Sequence, residues 1–262
     1  MACWRKQLLN AIGIAIVAFA VLMAGAWFGA YLRRVLPRHH FTDETKDAVR
    51  IGVGLIATMA ALVLGFLLAA AKSSYDTKSE EVRQSAAKLI LLDRNLRQYG
   101  PEAETIRAQL RATSKAKLDH KWVDVSALKV TEPSPTSGPL EFEQVQAKIR
   151  ELVPTTQSQK FLQARTLELS GELAQTRWLL VEQLDGSIPV PFLVLLILWL
   201  ALIFSSLSLF ATLNWTVNAV LLACALSVSS AIFLIIEMDR PFGGLLRISD
   251  APFRSAIGYL ER

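Results

Sequence analysis

Four stretches of this chain carry no charged residue: Leu8 to Leu32 (25 residues), Ile51 to Ala71 (21), Ile188 to Leu213 (26) and Trp215 to Ile236 (22). At about 1.5 Å per residue, each is long enough to cross a hydrocarbon core of roughly 30 Å as a helix. Together they hold 94 of the 262 residues. With 52% hydrophobic residues and a mean hydropathy of +0.36, that composition excludes an ordinary soluble chain, a secreted disulfide scaffold, a nucleic-acid enzyme and a β-barrel. Cys3 stands in a terminal tail and Cys224 inside a span, so they form no disulfide framework. No zinc or iron–sulfur spacing occurs, and no cofactor is expected.

The first span reads as retained. Arg5 and Lys6 precede it, and Ala24-Gly25-Ala26 has the small residues of a cleavage site. Its apolar run is nonetheless much longer than a signal peptide's, and it ends in Trp27, Phe28 and Tyr31 followed by Arg33 and Arg34, the pattern of a span meeting an interface.

Charge sharpens the picture once it is divided by region. From Ser73 to Ser187 there are 16 Lys or Arg and 16 Asp or Glu, so the formal net charge of +5 lies entirely in the short segments beside the membrane. The pI near 9.3 therefore reflects interfacial anchoring, not nucleic-acid binding. With four spans, both termini and the central segment share one side, which holds eleven basic residues near span ends. The other side holds five, Arg33, Arg34, Arg38, Lys46 and Arg50, all in the first loop. The positive-inside rule puts the termini and the central segment in the cytoplasm of an inner-membrane protein.

The fold expected is all-α: a polytopic membrane protein with four transmembrane helices in a 2+2 order and a central cytoplasmic helical domain. Its boundaries are 1–72 for the first hairpin (helices about 8–32 and 43–72), 73–187 for the helical domain, 188–237 for the second hairpin and 238–262 for an interfacial C-terminal segment. In the central domain Val82, Leu89, Leu92 and Leu96 recur at helical spacing up to Tyr99-Gly100-Pro101. Further helices carry Ile106, Leu110 and Leu118, then Phe142, Val145, Ile149 and Leu152, then Leu162, Leu169, Leu173 and Leu180. The low-complexity run Thr131 to Pro139 is the loop between them.

His39-His-Phe-Thr-Asp-Glu-Thr-Lys-Asp-Ala-Val-Arg50 running into Ile51-Gly-Val-Gly-Leu-Ile-Ala-Thr58, the helix ending Tyr99-Gly-Pro-Glu102, Glu237-Met-Asp-Arg-Pro-Phe-Gly-Gly-Leu245 and Ile248-Ser-Asp-Ala-Pro-Phe253 resemble the bestrophin-like domain family of bacterial membrane proteins, over nearly the whole chain. The resemblance implies kinship with bestrophins, pentameric anion channels with two helices, a cytosolic helical region and two more helices. It also implies a homo-oligomer, a pentamer by analogy, and small anions as the permeating species. Val63-Leu-Gly-Phe66 is similar to the part of the bestrophin second helix that forms a hydrophobic pore neck, although this chain lacks the proline that bestrophins place just before it.

Three features carry the functional reading. In the second span Gly54, Thr58, Ala61, Gly65 and Lys72 share one face, which Asp47 and Arg50 extend outward, while Leu62 and Phe66 stand beside it as an apolar constriction. Such a stripe lines a pore in an oligomer or serves close helix packing in lipid. Gly25-Ala-Trp-Phe-Gly29 repeats the theme in the first span, where packing is favoured.

The second feature is the outer loop. There Arg33, Arg34, Arg38 and Arg50 concentrate anions at a pore mouth or bind phosphate head groups, and Thr42 with the acids after it starts a helix. His40 and Glu44, one helical turn apart, supply two ligands, too few for a metal site.

The third is the motif Glu237, Asp239, Arg240, Pro241 and Phe242, where the last span leaves the membrane. Arg240 pairs with Glu237 or Asp239, or Glu237, Asp239 and Asp250 bind a regulatory cation. After it a short amphipathic helix with Phe253, Ile257 and Leu260 is expected to lie on the membrane surface. Serines 205, 206, 227, 229 and 230 read as inter-helix hydrogen-bonding groups.

No nucleophile with a base, no catalytic carboxylate pair and no phosphate loop is present, so an enzyme is not expected. The spans also lack an ionisable group at bilayer depth, which argues against a proton-coupled carrier. Two readings stay open: an oligomeric anion channel, or a non-conducting membrane scaffold or sensor whose cytoplasmic helical domain binds a protein partner.

Overall fold

In the computed structural model, residues 2–37, 42–119, 139–182, 189–211, 214–239 and 245–261 are described. They form α1 (Ala2–Val35), α2 (Asp43–Tyr99), a 3-10 turn (Pro101–Ala103), α3 (Glu104–Asp119), α4 (Pro139–Glu151), α5 (Gln157–Glu182), α6 (Val190–Phe210), α7 (Trp215–Asp239) and α8 (Ala251–Leu260). No strand occurs among them. Helices α1, α2, α6 and α7 are each long and apolar enough to cross a membrane.

The chain divides into two compact units, one of residues Met1–Tyr75 and Gly186–Leu246, the other of Asp76–Asp185 and Arg247–Arg262. Helix α2 belongs to both. Its 57 residues run without a break through the boundary expected at residue 72, because nothing there stops a helix until Gly100, whose φ of 128° few other residues adopt, and Pro101.

In the membrane unit, α1 packs along α6 and α7. Leu22 and Ala26 meet Phe204, Leu221 and Ala225, while Ala11 and Ala18 meet Ile232 and Ile236. Backbones approach most closely at two glycines of α1. A Cβ on Gly25 would lie 2.7 Å from the Ala201 carbonyl oxygen, and one on Gly29 would overlap the Ser205 carbonyl. Lipid provides no hydrophobic drive between helices, so this contact relies on dispersion and needs residues without side chains. Helix α2 sets Ala60, Leu67 and Ala71 against Leu196 and Ile235. Among the described residues the serines of these spans make no side-chain hydrogen bond to another helix, where inter-helix bonds are expected. The Ser230 hydroxyl donates to the Ser227 carbonyl of its own helix at 2.8 Å, Ser229 is buried without a partner among the described residues, and Ser205 contributes its backbone to the Gly29 contact.

The second unit is a helical bundle. Its core joins Leu89, Leu92, Leu96 and Tyr99 of α2, Ile106 and Leu110 of α3, Val145 and Ile149 of α4, Leu169 of α5, and Ala256 and Leu260 of α8. Helix α8 is thus placed differently from the surface helix expected. Its apolar face completes the bundle core, and its end is held by Lys115 to Glu261 at 3.2 Å. Amphipathic spacing specifies that a face is covered, not by what.

Two glutamines of α5 tie helix ends together. Gln163 donates to the Ile149 and Leu152 carbonyls at 2.9 and 2.8 Å, satisfying groups that the end of α4 leaves open. Gln159 donates to the Tyr99 carbonyl at 3.1 Å and accepts from the Thr155 amide at 2.8 Å, while Thr156 caps the Gln159 amide at 3.1 Å. Within the core, Asp93 of α2 receives both Nε and a terminal nitrogen of Arg107 of α3, at 3.0 and 3.2 Å. The Asp93 hydrogen bond pushes the Arg107 guanidinium further up from its ordinary value, so the cation is retained despite burial. Lys88 on Glu172, at 3.0 Å, joins α2 to α5. Of the Thr131–Pro139 run, residues 131–138 lie outside the described residues, and Pro139 opens α4.

Candidate functional site: the uncovered face of α2

Helix α2 starts at a cap. The Thr45 amide donates to the Thr42 hydroxyl at 3.3 Å, and Asp43 and Glu44 stand in the first turn, where the helix dipole favours negative charge. Lys46 reaches back to Asp43 at 2.8 Å, and this hydrogen bond holds the exposed Asp43 carboxyl below its usual value.

The ridge that α2 buries, Ala60, Leu67 and Ala71, fixes what the rest of the helix can do. At about 100° per residue, the far side carries Gly54, Thr58, Ala61, Gly65 and Lys72, all exposed. Leu62 and Phe66 stand beside them at 73% and 62% exposure. A Cβ on Gly54 or Gly65 would meet nothing within 4 Å. The two small-residue stripes thus separate: that of α1 is consumed by packing on α6, whereas among the described residues nothing packs on Gly54 or Gly65 of α2. The apolar window of α2 is also the least covered of the four, 11% buried against 22% to 33% for the others. Thr58 donates its hydroxyl to the Leu55 carbonyl at 2.7 Å, so it sits on this face without an orphaned donor. At the far end the Lys72 ammonium lies 5.6 Å from the centroid of the Tyr75 ring.

The four arginines of the outer loop are not equivalent. Arg33 donates to the Ala211 carbonyl, the cap residue of α6, where a cation complements the helix dipole. Arg33 thereby ties the ends of α1 and α6 together. No local pattern could have revealed this, since the partners stand 178 residues apart in sequence. Arg34 and Arg50 are exposed. Arg38, His39 and His40 lie outside the described residues, and with them the His40–Glu44 pairing.

At the end of α7 Glu237 and Asp239 are buried, and Glu237 accepts the Leu245 amide, drawing the chain back after the helix. Arg240, Pro241 and Phe242 lie outside the described residues, so the expected Arg240 ion pair does too. Asp250 is engaged by Arg254 at 2.8 Å, and among the described residues no three His, Cys, Asp or Glu converge on a metal position.

The family profile described as "Bestrophin-like domain" matches residues 19–253. Two crystal structures of single-substitution variants of a bacterial bestrophin homolog from Klebsiella pneumoniae superpose with a TM-score of 0.63 at 16% identity. One alignment covers 93% of this chain and 97% of that chain, the other 96% and 98%. A third crystal structure, of a membrane protein variant, gives a TM-score of 0.63 at 15% identity over 97% of this chain and 98% of that one. At these identities the likeness is one of fold. No curated protein matches the sequence.

Proposed function

The chain belongs to the bestrophin-like family, and from that premise we propose that it is the subunit of a homo-oligomeric channel for small anions, with α2 facing the axis. The single observation that supports this most is the bare stripe Gly54, Thr58, Ala61 and Gly65, which the described residues leave uncovered while the matching stripe of α1 is filled. Side chains this small leave room for water between symmetry-related helices. Leu62 and Phe66 form an apolar neck that gates by wetting, Arg50 raises the anion concentration at one mouth, and Lys72 does so at the other. The lipid bilayer is the medium. Both termini and the bundle unit lie on the cytoplasmic side of the inner membrane, in accordance with the basic-residue count.

Purified protein in liposomes is expected to pass chloride, nitrate or bicarbonate. Phe66→Ala raises the flux severalfold, because it lowers the wetting barrier, and leaves selectivity unchanged. Arg50→Glu reduces anion over cation permeability, more so at low salt, where the screening length grows from ~10 Å at 0.1 M to ~30 Å at 0.01 M. Absence of flux from both wild type and Phe66→Ala overturns the channel reading in favour of the scaffold, a reading favoured by the 82% and 70% exposure of Val153 and Phe161 on the bundle.

Orientation has its own check. In a cysteine-free background, Thr58→Cys is expected to crosslink between subunits in the membrane, whereas Ala60→Cys, on the face buried against α6 and α7, does not. Crosslinking from Leu55→Cys and not from Thr58→Cys would turn the bulky face of α2 to the axis.

A further inference from the structure

The two adjacent arginines at the end of α1 point to different tasks. Arg33 is committed to the Ala211 carbonyl. Arg34, about 100° further round the helix, is exposed and has no ion pair or hydrogen bond among the described residues. Stepping back from Arg34 by threes and fours gives Tyr31, Trp27, Ala24 and Ala20, one face of α1 and all exposed. Leu22, Ala26 and Gly29, on the opposite face, take the contacts with α6 and α7. Along the outward face lies a wide, shallow depression between the side chains of Met23, Ala24, Trp27, Phe28 and Tyr31. From Ala24 to Arg34 the helix rises about 15 Å, half of a ~30 Å hydrocarbon core and so the depth of one leaflet.

We infer that this depression seats the acyl chain of a phospholipid whose anionic headgroup rests on Arg34. The guanidinium offers a planar fork of donors to a phosphate, and none of the described residues competes for it. Tyr31 and Trp27 are amphipathic rings at the level of glycerol esters, with an O–H and an N–H to donate there. Below them Ala24 and Ala20 leave the space that a chain of methylenes fills, and Phe28 and Met23 wall it. A lipid of net negative charge is selected over a zwitterionic one, because in the latter the choline cation opposes Arg34. Trp215 is an internal contrast. It is 86% exposed at a helix end too, but α7 contains no Lys or Arg.

The test uses the full chain in proteoliposomes containing either dibrominated phosphatidylglycerol or dibrominated phosphatidylcholine at equal mole fraction, with fluorescence quenching as the readout. The contribution of Trp27 is isolated by difference from Trp27→Phe, and that of Trp215 by difference from Trp215→Phe. At Trp27 the phosphatidylglycerol form is expected to bind about fivefold more strongly, the effect of one basic residue beside an anionic lipid. At Trp215 the two lipids quench alike. Arg34→Gln removes the preference at Trp27, and raising salt from about 0.05 M to about 0.5 M weakens it in the unsubstituted protein, an arm that holds even if the variant does not fold. Equal quenching of Trp27 by both lipids would reduce the depression to ordinary lipid-facing surface. Shielding from both would mean that a second copy covers it, and displacement by inorganic phosphate would mean an anion site without an acyl chain. Each of these overturns the inference.

Discussion

Asp93→Ala in the full-length protein is expected to accelerate amide exchange through the second half of α2 and through α3 by roughly two to four orders of magnitude, from a loss of about 3–5 kcal/mol when one partner of a buried ion pair is removed. The expectation rests on burial. The Asp93 and Arg107 side chains are 9% and 8% exposed, so a guanidinium deprived of its partner has no water to turn to. Glu104, on the other terminal nitrogen of Arg107 at 2.7 Å, retains part of the compensation and pulls the loss toward the lower bound. Asp93→Asn keeps an acceptor in place and is expected to cost less. The double variant Asp93→Leu with Arg107→Leu is the decisive comparison, since replacing a buried pair by apolar groups is often close to neutral. If Asp93→Ala alone leaves exchange unchanged, the pair does not hold α2 to α3. If the double variant is as damaged as the single, packing around the pair, not its charge, sets the stability.

That pair shows where sequence reading reaches its limit. The core positions Leu89, Leu92, Leu96, Ile106, Leu110, Val145 and Ile149 follow from helical spacing, and all are buried. The spans follow from hydrocarbon thickness, which admits few alternatives. Asp93 directly follows one of those leucines, yet an acid beside an apolar stripe ordinarily faces solvent, and only an arginine brought over from α3 makes burial tolerable. Helix α8 taught the complementary lesson. Its apolar face was legible but its cover was not, because a membrane surface and a bundle core make the same demand on spacing. At the site, the composition of the α2 stripe was readable and its freedom was not. Spacing alone gives Gly25 and Gly29 of α1 the same character as Gly54 and Gly65 of α2, and only packing distinguishes a filled stripe from a bare one.

This distinction yields the prediction with the clearest pair of outcomes. Gly29→Leu is expected to abolish accumulation of folded protein in the membrane, because the new side chain would begin inside the Ser205 carbonyl and the obstacle is backbone, which cannot swing aside. Gly29→Ala, the smallest test of the same contact, is expected to cost about 1–3 kcal/mol as overpacking and to lower the melting temperature in detergent. Gly65→Ala places the same methyl group where nothing stands within 4 Å, so the fold of the subunit should be indifferent to it. What Gly65→Ala changes then depends on what stands opposite it in the assembly. A reduced flux with an intact oligomer places the stripe on a water path, which the added methyl groups narrow from every subunit at once. Dissociation of the oligomer without loss of the folded subunit places the stripe in a helix contact between copies. A fall in the stability of the isolated subunit, equal to that of Gly29→Ala, would show that α2 has a partner within its own chain and remove the ground on which the pore assignment stands.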